Sequence, residues 1–248
     1  MAKPSTRSDL VYTVLRRAVI EQALAPGAKL LEDEIGAHFG VSRTVVRAAL
    51  QKLAGDGLVE MKAKRTATVA RPSLEEARAI FEVRRCLERE AIRLLVERWK
   101  PEFGADLEGH VRDEEEAAKR QDKALSIRLA GEFHIRLAAM TGNPLLLRYV
   151  SEVVSRCSLI LALYGRPHSS ECGMNEHRDV IAALRSGDVA RAVHVMDHHV
   201  ALVEQRALIA EGGDEPDLGA IIGRYLPQKP AAGVVPLPAR RRAGKEAS

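Results

Sequence analysis

The sequence has little of what secreted, membrane-spanning and many catalytic proteins depend on. Its 248 residues include three cysteines, Cys86, Cys157 and Cys172, odd in number and without a CxxC pair. That pattern suggests neither a disulfide framework nor a zinc ribbon, and suits reduced thiols of a cytoplasmic protein. No apolar run approaches the roughly 20 residues that a membrane span needs. The opening MAKPSTRSDL has no apolar signal core. The expectation is a soluble, unsecreted, cytoplasmic chain with no membrane partner. Aromatic residues are scarce, at 4%, so aliphatic periodicity has to carry the structural signal. There is no H-E-x-x-H, no Gly-rich phosphate loop and no G-x-S-x-G, which removes the commonest signatures of metalloproteases, nucleotide hydrolases and serine hydrolases.

What is present is unevenly distributed. Residues 1–72 carry a net charge of +5, residues 73–212 a net of −3 and residues 213–248 a net of +2. A basic N-terminal third on a mildly acidic body fits a nucleic-acid module attached to something else. In that third, Leu10, Val14, Leu15, Ala18 and Val19 repeat at helical spacing, after a loose arm at residues 1–8. The helix stops before Ala25-Pro26-Gly27. Leu31 to Phe39 reads as a short second helix that Gly40 ends in a left-handed conformation. Ser42 is placed to cap a third helix through its side-chain oxygen. Leu58 to Met61 and Thr66 to Ala70, around a KAKR tip, read as a β-hairpin. The sum is a winged helix-turn-helix over residues 1–72. Ser73-Leu74-Glu75-Glu76 is a capping box that opens a helix to about Arg98. Further helices are expected near 102–121, 124–141, 144–164, 173–186 and 188–210, with no strand pattern after residue 72. The fold class is therefore an α+β winged helix-turn-helix followed by an all-α bundle over residues 73–212. Residues 213–248 are expected to hold a short helix near 216–226 and a disordered tail rich in Pro, Ala and Arg.

The third helix carries two sets of residues. Val46, Leu50 and Leu53 form an apolar face, and Arg43, Thr44, Arg47 and Gln51 lie on another. Arginine matches the O6/N7 edge of guanine in the major groove. Thr44 and Gln51 can reach phosphates or bases. Lys62, Lys64 and Arg65 at the hairpin tip suit the backbone or the adjacent minor groove. The alternative is a set of solvated surface cations. The stretch LAPGAKLLEDEIGAHFGVSRTVVRAALQKLAGDGLV resembles the DNA-binding domain of the GntR regulators. The resemblance runs from about residue 10 to 70 and implies that Arg43, Thr44 and Arg47 contact DNA. Val45 stands where the family usually has Pro, Ala48 where it has Glu, and Thr66 where the wing has Gly. Asp33 falls where some relatives carry a DNA-contacting Arg.

Residues 73–210 are similar to the all-helical FCD effector domain of the FadR branch. The fragments VRRCLEREA, EFHIRLAAMTGNPLL, EHRDVIAALRSGD and MDHHV carry the likeness by order and spacing. Many members bind a divalent metal through one Asp and three His, which implies His134, His177 and His199 here, with zinc or a nickel-like ion suited to neutral imidazoles. Ala130 occupies the position of the usual Asp. Cys172 or Glu176 are candidates to complete the set. The alternative is that these histidines only line a polar cavity. His198 is read as surface. Arg84 matches a cavity-facing arginine that could hold an effector carboxylate, the alternative being a surface pair with Glu88. Arg156 and Tyr164 are further effector-binding candidates. The reading is a regulator, repressor by preference, that dimerises, binds an inverted-repeat operator and responds to a carboxylate metabolite. Two competitors are a metal-dependent hydrolase, for which no general base is evident, and an architectural DNA-binding protein with no effector.

Overall fold

The computed structural model describes residues 6–165, 170–207 and 222. The first helix, α1 (Arg7–Ile20), begins three residues earlier than its apolar repeat suggested. The cause is a capping box. The Thr6 hydroxyl accepts from Asp9 N and the Asp9 carboxylate accepts from Thr6 N, each at 3.1 Å. After the Pro26-Gly27 turn come β1 (Lys29–Leu30), α2 (Glu32–Phe39) and α3 (Arg43–Gly55). Gly40 ends α2 at φ 63°, ψ 41°, the left-handed geometry expected of it. Ser42 does stand at the N-cap of α3, but its side chain makes no capping hydrogen bond. In that respect the expectation fails.

The hairpin is present as β2 (Val59–Glu60) and β3 (Ala67–Val69). The sheet also holds a strand that hydrophobic patterning missed. β1 pairs antiparallel with β3, Lys29 opposite Thr68 and Leu30 opposite Ala67, giving the order β1-β3-β2. Two residues are too few to show a period of two, so only the partner reveals the strand. Val11, Leu15, Leu30, Ile35, Val46, Leu50, Leu53 and Val69 fill the small core between these elements.

The second unit is helical throughout: α4 (Leu74–Glu97), α5 (Pro101–Lys119), α6 (Lys123–Met140), α7 (Pro144–Tyr164), α8 (Ser170–Arg185) and α9 (Val189–Ala207). Ser73 and Glu76 close their capping box as expected. Phe81, Ile92, Leu95, Leu107, Phe133, Ile160, Leu184 and Val200 make its core. No described helix is long and apolar enough to cross a membrane. The helix expected near 216–226 and the tail fall outside the described residues.

The two units touch through α1, α6 and α7. Arg128 Nε donates to Glu21 at 2.9 Å, Arg16 Nη2 to Ser155 Oγ at 2.5 Å, and Gln22 Nε2 to the Ser158 carbonyl at 3.4 Å. Glu21 is buried although it carries charge, held between Arg17 and Arg128.

Candidate functional site

Two sets of side chains carry chemistry, one in each unit. On α3 the buried Val46, Ala49, Leu50 and Leu53 turn one face to the core. Arg43, Thr44, Arg47 and Gln51 are all exposed, as are Lys62, Lys64 and Arg65 on the wing. Lys64 sits at the tip with φ 58°. Sequence reasoning did not foresee that the two arginines are engaged. Arg43 forms a two-pronged pair with Asp33, and Arg47 lies 3.2 Å from Glu32. Both acids belong to the first turn of α2. The pairing joins residues ten and fifteen apart across a turn, so no single-helix spacing shows it. Lys62 bonds Glu60 of the same hairpin at 2.7 Å.

In the helical unit, α6, α8 and α9 bring His134, His177 and His199 together. One ligating nitrogen from each lies within 4.8 Å of the others, and all three residues are buried. The helices that hold them are locked by aliphatic packing, and the Phe133 ring stacks on His177 with centroids 3.9 Å apart. Each histidine also has a carboxylate behind it. His134 Nδ1 donates to Glu88 of α4 at 2.6 Å. His177 Nδ1 donates to Glu114 of α5 at 3.0 Å, and His199 Nδ1 to Glu176 of α8 at 2.6 Å. A carboxylate on Nδ1 fixes the tautomer and leaves the Nε2 lone pair facing inward. His134 Nε2 and His199 Nε2 are 3.2 Å apart. With both Nδ1 atoms protonated, that contact sets two lone pairs against each other, an arrangement that a shared cation stabilises.

Burial keeps His134 and His199 neutral. It lowers His134 to about 4, against the opposing pull of Glu88, and His199 to about 3, against Glu176. Burial would raise the Glu176 carboxyl, but hydrogen bonds from Arg206 and His199 outweigh it and hold the group at about 2. Burial would also raise Glu88, yet Arg84 and His134 hold it well below the usual carboxylate range. Imidazole donors with a carboxylate on each Nδ1 suit a borderline divalent ion. The residues present thus fit a metal, and the buried cluster is one that could hold it. Glu176, considered as a fourth ligand, spends its carboxylate on His199 and Arg206. The Cys172 side chain lies outside the described residues. His198 is exposed.

The cluster forms the floor of a cavity of about 140 Å³, walled by Arg84, Ser126, Ala130, Leu161, Met174 and Arg206 among others. Arg84 does reach it. The alternative of a solvated pair with Glu88 is incorrect, because Arg84 and Glu88 meet at 2.5 Å with side chains only 4% and 3% exposed. Arg156 and Tyr164 are not among the lining residues. The Arg156 guanidinium instead packs over Gly57, close enough that a Cβ there would lie 2.8 Å from Nε. The Tyr164 hydroxyl donates to the Pro72 carbonyl at 3.0 Å. Both serve the join between the two units. Sequence reasoning missed Glu114, Glu176 as an orienting group, Arg206, and Ser126, whose buried hydroxyl has no hydrogen-bond partner among the described residues. Ser126, Ala130 and His134 repeat every four residues on α6, a signal that was available once His134 was placed.

Comparison with known proteins assigns both units. Residues 7–69 match the family described as bacterial regulatory proteins, gntR family, and residues 79–202 match the FCD domain. The chain is 29% identical over 218 residues, 86% of its own length and 95% of the other's, to a probable D-xylose utilization operon transcriptional repressor of Paenarthrobacter nicotinovorans. It is 25% identical over 218 residues, 86% of its length and 96% of the other's, to the HTH-type transcriptional regulator YdhC of Bacillus subtilis (strain 168). Among solved structures, E. coli McbR/YncC superposes with a TM-score of 0.72 at 22% identity, covering 81% of this chain and 98% of that one, a likeness of fold. With a winged helix-turn-helix in front of a helical domain that encloses a polar-floored cavity, the chain belongs to the GntR family of DNA-binding transcriptional regulators, in the branch that carries an FCD domain.

Proposed function

We propose that this protein is a metal-binding, ligand-responsive repressor. It binds operator DNA as a homodimer and changes its affinity when a small carboxylate metabolite enters the FCD cavity. The observation that carries the reading is the histidine cluster, with one ligating nitrogen from each ring within 4.8 Å of the others and a carboxylate on each Nδ1. His134, His177 and His199 would hold the ion, which when bound supplies a Lewis-acidic centre for an anionic oxygen. Ala130 adds no carboxylate of its own, which favours an oxygen donor from the metabolite. Arg84 on the wall supplies positive charge, though its Nε is committed to Glu88. The cavity is well below the ~300–1,000 Å³ typical of drug-sized ligands, so the effector is small. Repression is also the role named for the Paenarthrobacter relative.

DNA recognition is assigned to Arg43, Thr44, Arg47 and Gln51 in the major groove, with Lys62, Lys64 and Arg65 on the backbone or minor groove. A two-fold dimer pairs two recognition helices with an inverted repeat. A footprint on one asymmetric half-site with a single protomer bound would defeat the dimer. The metal half is tested by elemental analysis of protein expressed in metal-supplemented medium. Wild type should carry metal, His177→Ala/His199→Ala should carry none, and both should bind effector-free DNA alike. Metal-free wild type would overturn the assignment.

A further inference from the structure

The first turn of α2 holds three consecutive acids, Glu32, Asp33 and Glu34. Acids there interact favourably with the free N–H groups of the helix N-terminus, which explains their presence in a helix with no side-chain cap. It does not explain where two of them point. Asp33 takes Arg43 Nε and Nη2 on its two oxygens, and Glu32 faces Arg47 Nε at 3.2 Å. The two guanidiniums placed to read bases are therefore each held by a carboxylate of the neighbouring helix, and the four charges cancel.

We propose that Asp33 is a specificity-determining residue, an internal stand-in for a guanine edge that Arg43 relinquishes only for DNA offering the same pair of acceptors. A carboxylate and the O6/N7 edge of guanine both present two acceptors to one planar guanidinium fork. Exchanging one for the other conserves both hydrogen bonds. A base with fewer suitable acceptors returns less, and leaves the Asp33 charge beside the phosphates. Non-cognate DNA thus meets a face whose cations are neutralised, while a correctly placed guanine regains the contact. The pair is exposed, Arg43 by 70% and Asp33 by 66%, so it contributes little to folding and can be altered cleanly. Glu32, only 27% exposed, is a poorer probe.

This inference rests on the reading that Arg43 and Arg47 contact DNA, and the experiment separates the two. Full-length protein is titrated by fluorescence anisotropy against a duplex selected by the wild type from a random-sequence pool, and against a scrambled duplex, at several KCl concentrations. Asp33→Asn should bind scrambled DNA about three- to tenfold tighter and with a steeper salt slope. Its affinity for the selected duplex should change less, so the ratio falls. Glu34→Gln makes the same charge change in the same turn, at a residue with no ion pair among the described residues. It should keep a ratio near that of wild type. An unchanged ratio in Asp33→Asn, or an equal fall in Glu34→Gln, overturns the role of Asp33. Wild-type binding of the selected duplex by Arg43→Ala overturns the recognition-face reading on which it stands.

Discussion

At the scale of single residues, buried histidines link the cavity to pH. His134 and His199 titrate near 6.5 in an unfolded chain, and burial lowers them to about 4 and about 3 in the folded one. Between those values the unfolded chain binds protons that the native one does not, so stability falls as pH drops below about 6.5. Each histidine contributes about 1.4 kcal/mol per pH unit, ending near pH 4 for His134 and pH 3 for His199. Glu176, held at about 2, adds stability above its ordinary value that is lost between about 4.5 and 2. Urea unfolding of metal-free protein at pH 7, 6 and 5 should show the decline, and His199→Gln should remove roughly half of the slope. A free energy flat across that range would contradict the neutral, buried state. On the DNA face, Arg47→Ala should cost ~1–3 kcal/mol on the operator and relax base preference at one position per half-site. Lys64→Ala should weaken binding to all sequences and lower the salt slope. Parallel selections with the two variants distinguish these outcomes.

At the scale of elements, two serines that look alike in sequence behave differently. Both stand at N-caps, but only Ser73 uses its hydroxyl, accepting from Glu76 N at 3.1 Å while Glu76 accepts from Ser73 N at 2.8 Å. Ser73→Ala should therefore lower stability by about 1 kcal/mol, and Ser42→Ala by no more than a few tenths. Denaturant midpoints of the two variants, at constant m-value, check this. Gly40 is the other local device. At φ 63° a Cβ would meet nothing within 4 Å, so any cost of Gly40→Ala is backbone strain alone. That cost is about 1 kcal/mol for one residue in the left-handed region.

At the scale of the whole molecule, α6 and α7 each face two ways. Ser126, Ala130 and His134 of α6 line the cavity, while Arg128 of the same helix holds Glu21 of the DNA-binding unit. On α7, Cys157 and Leu161 face the cavity, while Ser155 and Arg156 meet Arg16 and Gly57. A shift of either helix on ligand binding is thus felt at α1 and at the end of α3. Removing only Arg128 would leave a buried carboxylate poorly compensated, so the informative change is the pair Glu21→Gln/Arg128→Met. That variant should load metal and bind effector-free DNA like wild type, yet lose most of the change in DNA affinity that the cavity's effector produces. Paired titrations measure the coupling, which must be reciprocal. A coupling equal to that of wild type would place the transmission elsewhere, for instance at the Pro72 carbonyl held by Tyr164.

Much of this was legible in the residues alone, where the information is local. Helical periodicity, the Gly40 stop, the Ser73 capping box and the hairpin around KAKR each depend on a few neighbours along the chain. Their physics is therefore written in sequence order. The family resemblance singled out His134, His177 and His199 because motif order survives where contact geometry is unseen. What the tertiary structure decided is everything that joins distant segments. It paired β1 with β3, turned Arg156 and Tyr164 toward the DNA-binding unit, and buried the Arg84–Glu88 pair. It also placed a carboxylate behind each histidine and an acid against each of Arg43 and Arg47. A titratable side chain takes its character from charges and solvent within a few ångströms, and in this chain those come from other helices, as Glu88 does for His134 across forty-six residues.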